Sequence, residues 1–437
     1  MVSVTSTTVD TGDTAFMIVS MALVMFMTPG LAFFYGGLVR QQNVLTIMMQ
    51  NFVCMGMVTM IWVLWGFSLV FGNSGGLMGD PGSFAMMKNV LGTPLRSYVD
   101  GQTASDAYWD MTIPGLVFAG FQGMFAVIAP ALMTGAFADR LLFRPYLLFI
   151  FLWVHLVYFP WANWIWGPDG WIGKEGVFDF AGGIVVHCTA GFSALATVVA
   201  LPHRKKIEGD VDTDPHNIPF VALGTGMLWF GWFGFNAGSA LGANATAATA
   251  AMNTEIAASV ALFTWMCVEW KHKGKPSLVG ACVGTIAGLA TVTPAAGFIR
   301  PWGAVIIGVV CAPFCYTIME VIKKKLDLDD ALDVFAVHGM GGYLGTILVG
   351  CLARSSVGAP HYSAKLFGKQ LIAASGCAVY SFVVGFGLIK GIGAVMPLLP
   401  DKDMIFAGLD VSVHGESAYK EGSSSGKVVN PLKANNV

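Results

Sequence analysis

The sequence predicts an all-α polytopic membrane protein, and its composition leads to that class. Of the 437 residues, 55% are hydrophobic and only 11% are charged, whereas soluble domains carry about 25% charged residues. The 54 glycines agree with a membrane protein, because small residues are common where membrane helices pack closely. A net charge of −2 offers no basic surface for phosphates, so we expect no nucleic-acid partner.

Eleven apolar runs are long enough to cross a lipid bilayer, which takes about 20 helical residues. They divide the chain into an external segment (1–14), a membrane domain (15–397) and a polar tail (398–437) that we expect to be disordered toward its end. The predicted spans are Ala15–Val39, Leu45–Phe71, Asp110–Ala138, Pro145–Trp166, Asp179–Leu201, Pro219–Leu241, Asn253–Trp270, Pro276–Val292, Pro301–Lys323, Val334–Ala353 and Gln370–Met396.

The lysine and arginine residues predict how these helices are oriented. If the N-terminus is outside, the cytoplasmic loops carry 12 of these residues and the external loops carry 7. Loops rich in lysine and arginine stay in the cytoplasm, and an odd number of helices places the two termini on opposite sides. We therefore expect an external N-terminus and a cytoplasmic C-terminus.

Two segments, at the starts of the fifth and tenth spans, have a similar pattern. Each has an aspartate at the helix start (Asp179, Asp333), then a histidine in apolar sequence (His187, His338), then small residues. These two spans run in opposite directions across the membrane. The pattern predicts two inverted repeats of five helices with an eleventh helix added, an architecture found in many transporters.

The two histidines are predicted to lie in the middle region of the membrane, about 12 Å and about 8 Å from the ends of their helices. Ionisable groups at that depth are costly and usually mark a pathway. Each could instead be a core histidine bonded to a backbone carbonyl, and a zinc site would need a third ligand. The matching contexts favour a pathway, whereas His155 has no counterpart and is interpreted as structural. The two aspartates are interpreted as helix caps, and the charge of Asp179 would also favour a cation at the external side.

Several runs of residues together resemble one family. They are Phe121–Ala126, Gly135–Arg140, Asp179–His187, Trp232–Ala240, Asp333–Gly339 and the tail segment Gly408–Tyr419. These runs are similar to the ammonium transporter family (Amt/Mep/Rh), and to its Amt-type members in particular. The similarity extends from about residue 14 to residue 420, and it implies a homotrimer in the plasma membrane with one pore in each subunit.

The resemblance also implies a role for individual side chains. Trp166 matches the tryptophan of the external ammonium site and Ser239 its hydroxyl partner, with Phe125 and Asp179 beside them. Phe125 and Phe235 match the stacked phenylalanines that close the pore, with Phe121 one turn above, and His187 and His338 match the paired pore histidines. In the tail, which resembles a regulatory segment, Ser412 and Tyr419 are candidate regulatory residues for a kinase or another cytoplasmic protein.

These residue types suit ammonium and methylammonium. Aromatic faces attract a small cation, a hydroxyl oxygen accepts one of its N–H groups, and an apolar pore admits neutral ammonia far more cheaply than the ion. We expect deprotonation on entry, conduction of ammonia past the histidines and separate passage of the proton, with net transfer of charge. The alternatives are an ammonium sensor that signals through the tail and an electroneutral ammonia channel. An intramembrane hydrolase would need a nucleophile or metal set that the sequence does not offer, so we expect no enzyme activity and no cofactor.

Overall fold

The computed structural model describes residues 8–73, 77–99, 102–107, 111–204 and 214–419. Within these residues eleven helices are long and apolar enough to cross a membrane, which confirms the predicted class. In chain order they are α1 Thr11–Leu38, α2 Gln41–Phe71, α3 Gly115–Met133, α4 Phe143–Lys174, α5 Gly183–Ala200, α6 Ile218–Gly238, α7 Ala245–Lys273, α8 Leu278–Ala295, α9 Pro301–Lys325, α10 Phe335–Leu352 and α11 Ala364–Val395.

Several smaller features of the described residues lie outside these helices. A two-stranded antiparallel hairpin, β1 (Arg96–Val99) and β2 (Gln102–Ala107), lies in the connection between α2 and α3. A short helix, α12 (Lys402–Ala407), belongs to the tail. The disorder predicted for the end of the tail concerns residues beyond 419, which lie outside the described residues, as does the predicted start of the third span at residue 110.

A large difference from the predicted boundaries is at the start of α7. This helix begins at Ala245, eight residues before the predicted Asn253, because the side chain of Asn244 caps it by accepting the N–H of Ala247. The first two turns are rich in alanine and threonine, which are too weakly apolar to be recognised as part of a span. A cap also lengthens α11, which begins at Ala364 after the capping side chain of Ser363.

Three membrane histidines lie in π-helical turns. These turns, at residues 154–158, 183–188 and 335–339, contain His155, His187 and His338. A π-turn inserts an extra residue per turn and is frequent at functional sites. Here the turns at His187 and His338 begin α5 and α10, the two helices whose similarity the sequence indicated.

Glycines bring α5 and α10 into contact in a reciprocal way. Gly191, four residues after His187, lies so close to Gly339 that a Cβ would fall 2.1 Å from its Cα. Gly342, four residues after His338, leaves only 2.6 Å between such a Cβ and the Cβ of His187. Each histidine-bearing helix therefore packs against the other where a side chain would separate them, as the predicted inverted repeat requires.

The aspartate caps of these two helices also correspond, but the prediction of Asp333 as a cap is wrong. Asp179 accepts hydrogen bonds from four backbone N–H groups, those of residues 182–185, at 2.6–3.0 Å. At α10 the capping carboxylate belongs to Asp330, which accepts from residues 334 and 335 at 3.1 and 2.8 Å. Asp333 instead has a left-handed backbone, with φ at 61°, and pairs with Lys323 at 2.6 Å. Each capping aspartate is thus eight residues before its histidine.

Candidate substrate pathway

A cavity of about 630 Å³ opens at one end of the helix bundle, and we call it the vestibule. The four residues predicted for the external site all line it, although they come from two helices, the residue that follows α6 and a connecting segment: Trp166 and Phe125, Ser239, and Asp179. The structure therefore brings together residues that lie up to 114 positions apart in the sequence.

The polar groups of the vestibule are oriented to receive a hydrogen-bond donor. The hydroxyl of Ser239 donates to the carbonyl of Phe235 at 2.8 Å, so its remaining lone pairs can accept. The indole N–H of Trp166 is used in a bond of 2.9 Å to the backbone carbonyl of Asp179. Phe125 lies perpendicular to Trp166, with ring centroids 5.9 Å apart. Two aromatic rings and one acceptor oxygen are an arrangement that suits a small cation with N–H groups.

Asp179 shapes the floor of the vestibule through its cap. Each of its carboxylate oxygens accepts two backbone N–H groups, which confirms the capping interpretation. The residue is buried, and Gly182 within its loop has φ at 113°, a conformation that glycine adopts without strain. Direct contact between this carboxylate and a substrate remains a prediction.

A pair of phenyl rings closes the vestibule toward the protein interior. The rings of Phe125 and Phe235 are stacked, with centroids 4.2 Å apart and planes 25° apart, and both are buried. Phe121 is 5.0 Å from Phe125 and fills the space beside Gly238, but it lines neither the vestibule nor the inner cavity formed by the described residues. Phe121 therefore packs against Phe125 outside both cavities, and its role in closing the pore remains a prediction. We call the stacked pair the gate.

The two predicted pore histidines meet directly behind this gate. The ring of His187 is 6.2 Å from that of Phe235, and its Nδ1 lies 3.2 Å from Nδ1 of His338. The two imidazole planes differ by 17° and their centroids are 5.2 Å apart. They line a narrow cavity of about 10 Å³ together with Trp232 and apolar residues, which is about the space that one water molecule needs.

The contact between the two Nδ1 atoms defines what the pair can do chemically. Two neutral imidazoles can share this bond only if one Nδ1 carries a hydrogen and the other accepts it. The first ring then has an acceptor at Nε2, and the second has a donor at Nε2. No described residue hydrogen-bonds to Nε2 of His187. The pair can therefore offer one acceptor and one donor to a small polar molecule.

His155 has a different environment from the other two histidines, as predicted. Its Nε2 accepts the indole N–H of Trp65 at 2.7 Å, and its Nδ1 contacts the carbonyl of Phe151 at 2.6 Å. Both ring nitrogens are thus occupied by protein groups, on a partly exposed face of α4. This geometry supports a structural role.

The tail packs against the end of the bundle opposite the vestibule. The carboxylate of Asp410 accepts the N–H groups of Leu45 and Thr46 at 2.9 and 2.7 Å, in the first turn of the α-helical part of α2, which begins at Val44. Tyr419 places its hydroxyl 3.1 Å from Nε2 of His216. Ser412 is exposed, and its hydroxyl donates only a long bond of 3.3 Å to a carbonyl within the tail. The tail is therefore docked through Asp410 and Tyr419, and Ser412 is accessible.

A chain of polar contacts continues from the docked tail to the start of α10. Asn43 accepts the N–H of Leu409 at 2.9 Å and donates to Asp139. Arg204 then pairs with Asp139 at 3.3 Å and with Asp329 at 2.9 Å. Burial would raise the pKa of the Asp329 carboxyl, but the hydrogen bonds and charge of Arg204 outweigh burial and lower it to about 2. Asp329 precedes the residue that caps α10, so the contacts connect the tail with the helix of His338.

Sequence reasoning missed three of these residues. Asp330 could have been found from the equal spacing of eight between each cap and its histidine. Asp410 gave no signal, because its partners are more than 360 positions away. Trp232 belonged to a family-like run without an assigned role, yet its ring is parallel to that of His187 within 19°, at 5.6 Å.

A vestibule, a phenyl gate and a buried histidine pair that follow one another through a helix bundle define a membrane transport protein for a small polar solute. The family model described as the Ammonium Transporter Family matches residues 15–419. The chain is 42% identical over 416 residues to the ammonium transporter of Bacillus subtilis. The aligned residues cover 94% of this chain and 99% of that protein. It therefore belongs to the ammonium transporter family.

Solved structures of relatives have the same fold. The crystal structure of Candida albicans Mep2 matches with a TM-score of 0.82 and 33% identity, covering 92% of this chain and 89% of that one. A structure described as a sensor Amt protein matches with a TM-score of 0.81 and 26% identity, covering 92% and 98%. The chain is also 39% identical to ammonium transporter 1 of Schizosaccharomyces pombe, over 93% of this chain and 82% of that protein.

Proposed function

We propose that the protein takes up ammonium at the vestibule, deprotonates it and conducts ammonia through the gate and past the histidine pair, while the proton crosses separately. The observation that carries the proposal is the contact between His187 and His338 immediately behind the stacked phenylalanines. Net charge moves inward in this scheme, so uptake is electrogenic.

Binding at the vestibule follows from its aromatic rings and its acceptor oxygen. Ammonium has four N–H donors and a diffuse positive charge. A desolvated cation–π contact contributes about 2 kcal/mol, and Trp166 and Phe125 supply two such faces. The Ser239 oxygen accepts one N–H, and the buried negative charge of Asp179 favours a cation nearby. Methylammonium retains three N–H groups and is expected to bind as well.

The gate and the inner cavity favour ammonia over the ion. A cation that enters the apolar passage loses its hydration shell, which costs several kcal/mol or more, and a cavity of about 10 Å³ has no room for that shell. The neutral molecule needs only one donor and one acceptor, which the two Nε2 atoms can provide. The same imidazoles can relay a proton, because each ring can accept a hydrogen at one nitrogen while it donates one from the other.

Membrane current tests this proposal. In liposomes with purified protein, replacing both His187 and His338 by leucine should abolish the current evoked by ammonium or let other cations through. His155→Leu is the matched control, because it removes a membrane histidine outside the pathway. Unchanged current and selectivity in the double variant would refute the histidine role. Uptake of methylammonium without any current in the unchanged protein would instead support an electroneutral channel.

The similarity to a sensor Amt protein makes signalling the second candidate function. In that case bound ammonium would act through the docked tail and flux would be minor. Uptake of labelled methylammonium in cells without their own transporters separates the two functions. Robust saturable uptake supports transport, and binding without uptake supports a sensor.

The assembly and regulation that we propose follow the family. The protein is a homotrimer in the plasma membrane, with the vestibule outside and the tail in the cytoplasm, where the tighter lysine and arginine clusters also lie. Cross-linking and mass measurement in detergent test the trimer, and labelling of engineered cysteines in intact cells tests the orientation.

Exposed Ser412 is a site at which a kinase could add a phosphate, whose nearly two negative charges would lie two residues from Asp410 in the docked tail.

A further inference from the structure

Thr293 is buried and bonds to Trp232, the residue whose ring packs against His187. Thr293 is the first residue of the short 3₁₀ turn Thr293–Ala295, which ends α8. The hydroxyl donates to the carbonyl of Leu289 at 2.7 Å and accepts the indole N–H of Trp232 at 2.9 Å. Both of its hydrogen-bonding functions are therefore used, and the direction of each bond is determined.

The bond to Thr293 determines the plane of the Trp232 ring. Trp232 is buried, and its only polar atom on the side chain is the N–H that Thr293 accepts. The ring lies nearly parallel to His187, whose plane is in turn 17° from that of His338. Rotation of the indole would remove the flat surface that His187 packs against. His187 would then be free to turn its Nδ1 away from His338.

The segment that carries Thr293 is held rigidly from three directions. The side-chain amide of Asn253 donates to the carbonyls of Ala296 and Ile299 at 2.7 and 2.8 Å. The carbonyl of Pro294 accepts the N–H of Phe180 at 3.1 Å. The Pro294 ring also lies against Gly183, where a Cβ would be only 2.4 Å from it. Phe180, which lines the vestibule, and the Thr293 hydroxyl are therefore held by the same short segment.

We propose that Thr293 is a positioning residue for ammonia conduction: its hydroxyl orients Trp232, and Trp232 holds the His187 imidazole in the plane that shares a hydrogen with His338. The proposal rests on the proposed role of the histidine pair and adds a residue outside the pathway on which that role depends. Valine has nearly the shape of threonine but cannot accept the indole N–H. The buried N–H would then lack an acceptor, which is costly, and the indole would be free to turn away from its present plane.

The test compares Thr293→Val with Thr293→Ser in proteoliposomes. Misplacing a reacting group by about 1 Å costs up to roughly a hundredfold in rate, so we expect Thr293→Val to lower the maximal ammonium current about tenfold or more. The concentration for half-maximal current should stay within about twofold, because the vestibule residues are unchanged. Thr293→Ser keeps the acceptor oxygen and should restore the current. Thr264→Val, which removes only a hydroxyl bonded to its own helix, is the matched control.

A double-mutant cycle keeps the test decisive if Thr293→Val folds poorly. Trp232→Phe removes the indole N–H, so adding Thr293→Val to it should cause no further loss of current. Additive losses, or a Thr293→Ser variant as impaired as Thr293→Val, would overturn the positioning role. If the double histidine variant lowers the current and Thr293→Val does not, this inference fails while the proposed function stands. If the double histidine variant has no effect, the proposed function itself fails.

Discussion

Replacing Asp179 with asparagine should destabilise the protein about twice as much as the same change at Asp330. Asp179 accepts four backbone N–H groups, two on each oxygen, and Asp330 accepts two, one on each. An asparagine side chain keeps one acceptor oxygen and turns an NH₂ group toward the others. Two buried N–H groups thus lose their acceptor at residue 179, and one loses it at residue 330.

The magnitude follows from the cost of a buried donor without a partner, about 1–3 kcal/mol. The expected loss is therefore about 2–6 kcal/mol for Asp179→Asn and about 1–3 kcal/mol for Asp330→Asn. Because large membrane proteins unfold irreversibly, the comparison uses apparent melting midpoints in one detergent at one heating rate. Asp169→Asn is the control, since its ion pair with Lys174 is exposed and such pairs contribute little.

The order of the four melting midpoints tests this prediction. We expect the unchanged protein and Asp169→Asn to melt together, Asp330→Asn below them and Asp179→Asn lowest. If Asp179→Asn melted with the control, the four hydrogen bonds could not be what holds the start of α5. The same variant should also weaken ammonium binding, because the backbone carbonyl of residue 179 anchors the indole of Trp166.

Four further predictions concern the gate, the tail and the ion pairs of Arg204. Phe235→Ala removes half of the stacked gate and should raise sodium and potassium leak, measured as current without ammonium; an unchanged leak would place the barrier elsewhere. Asp410→Asn weakens the bonds that dock the tail, so protease cleavage within residues 398–419 should be faster. Ser412→Asp imitates a phosphate that undocks the tail, and it should alter ammonium uptake. Burial raises the pKa of Asp329, but Arg204 lowers it to about 2. The ionised carboxylate therefore stabilises the fold above about pH 4, and that stability is lost as the pH falls toward 2. Replacing Asp329 should make the melting midpoint depend less on pH in this window.

The membrane class and the number of helices could be predicted because hydropathy alone determines them. The capping residue of α10 could not be predicted in the same way. Asp333 stands closer to the helix than Asp330, but a left-handed turn directs its side chain toward Lys323. Hydropathy contains no information about such a turn. The repeated spacing of eight residues from cap to histidine does point to Asp330.

The residues of the candidate site were likewise only partly predictable from the sequence. Ionisable residues in apolar sequence drew attention to His187 and His338 without any structure. The gate phenylalanines and Trp166 are unremarkable in a membrane protein, and only the resemblance to a family marked them. The contact from Thr293 to Trp232 joins residues 61 positions apart, and a threonine hydroxyl in a helix usually bonds its own backbone. Tertiary contacts of this kind are not encoded in any local pattern.

The glycines at positions 191 and 342 make each half of the chain a necessary part of the other's structure. A methyl group at either position would overlap the backbone or the histidine of the opposite repeat, so the two helices would have to move apart and the imidazoles with them. Neither repeat can therefore assemble a working conduit by itself. A random screen for inactive proteins should return these two positions alongside the histidines, although neither glycine would ever meet the transported molecule.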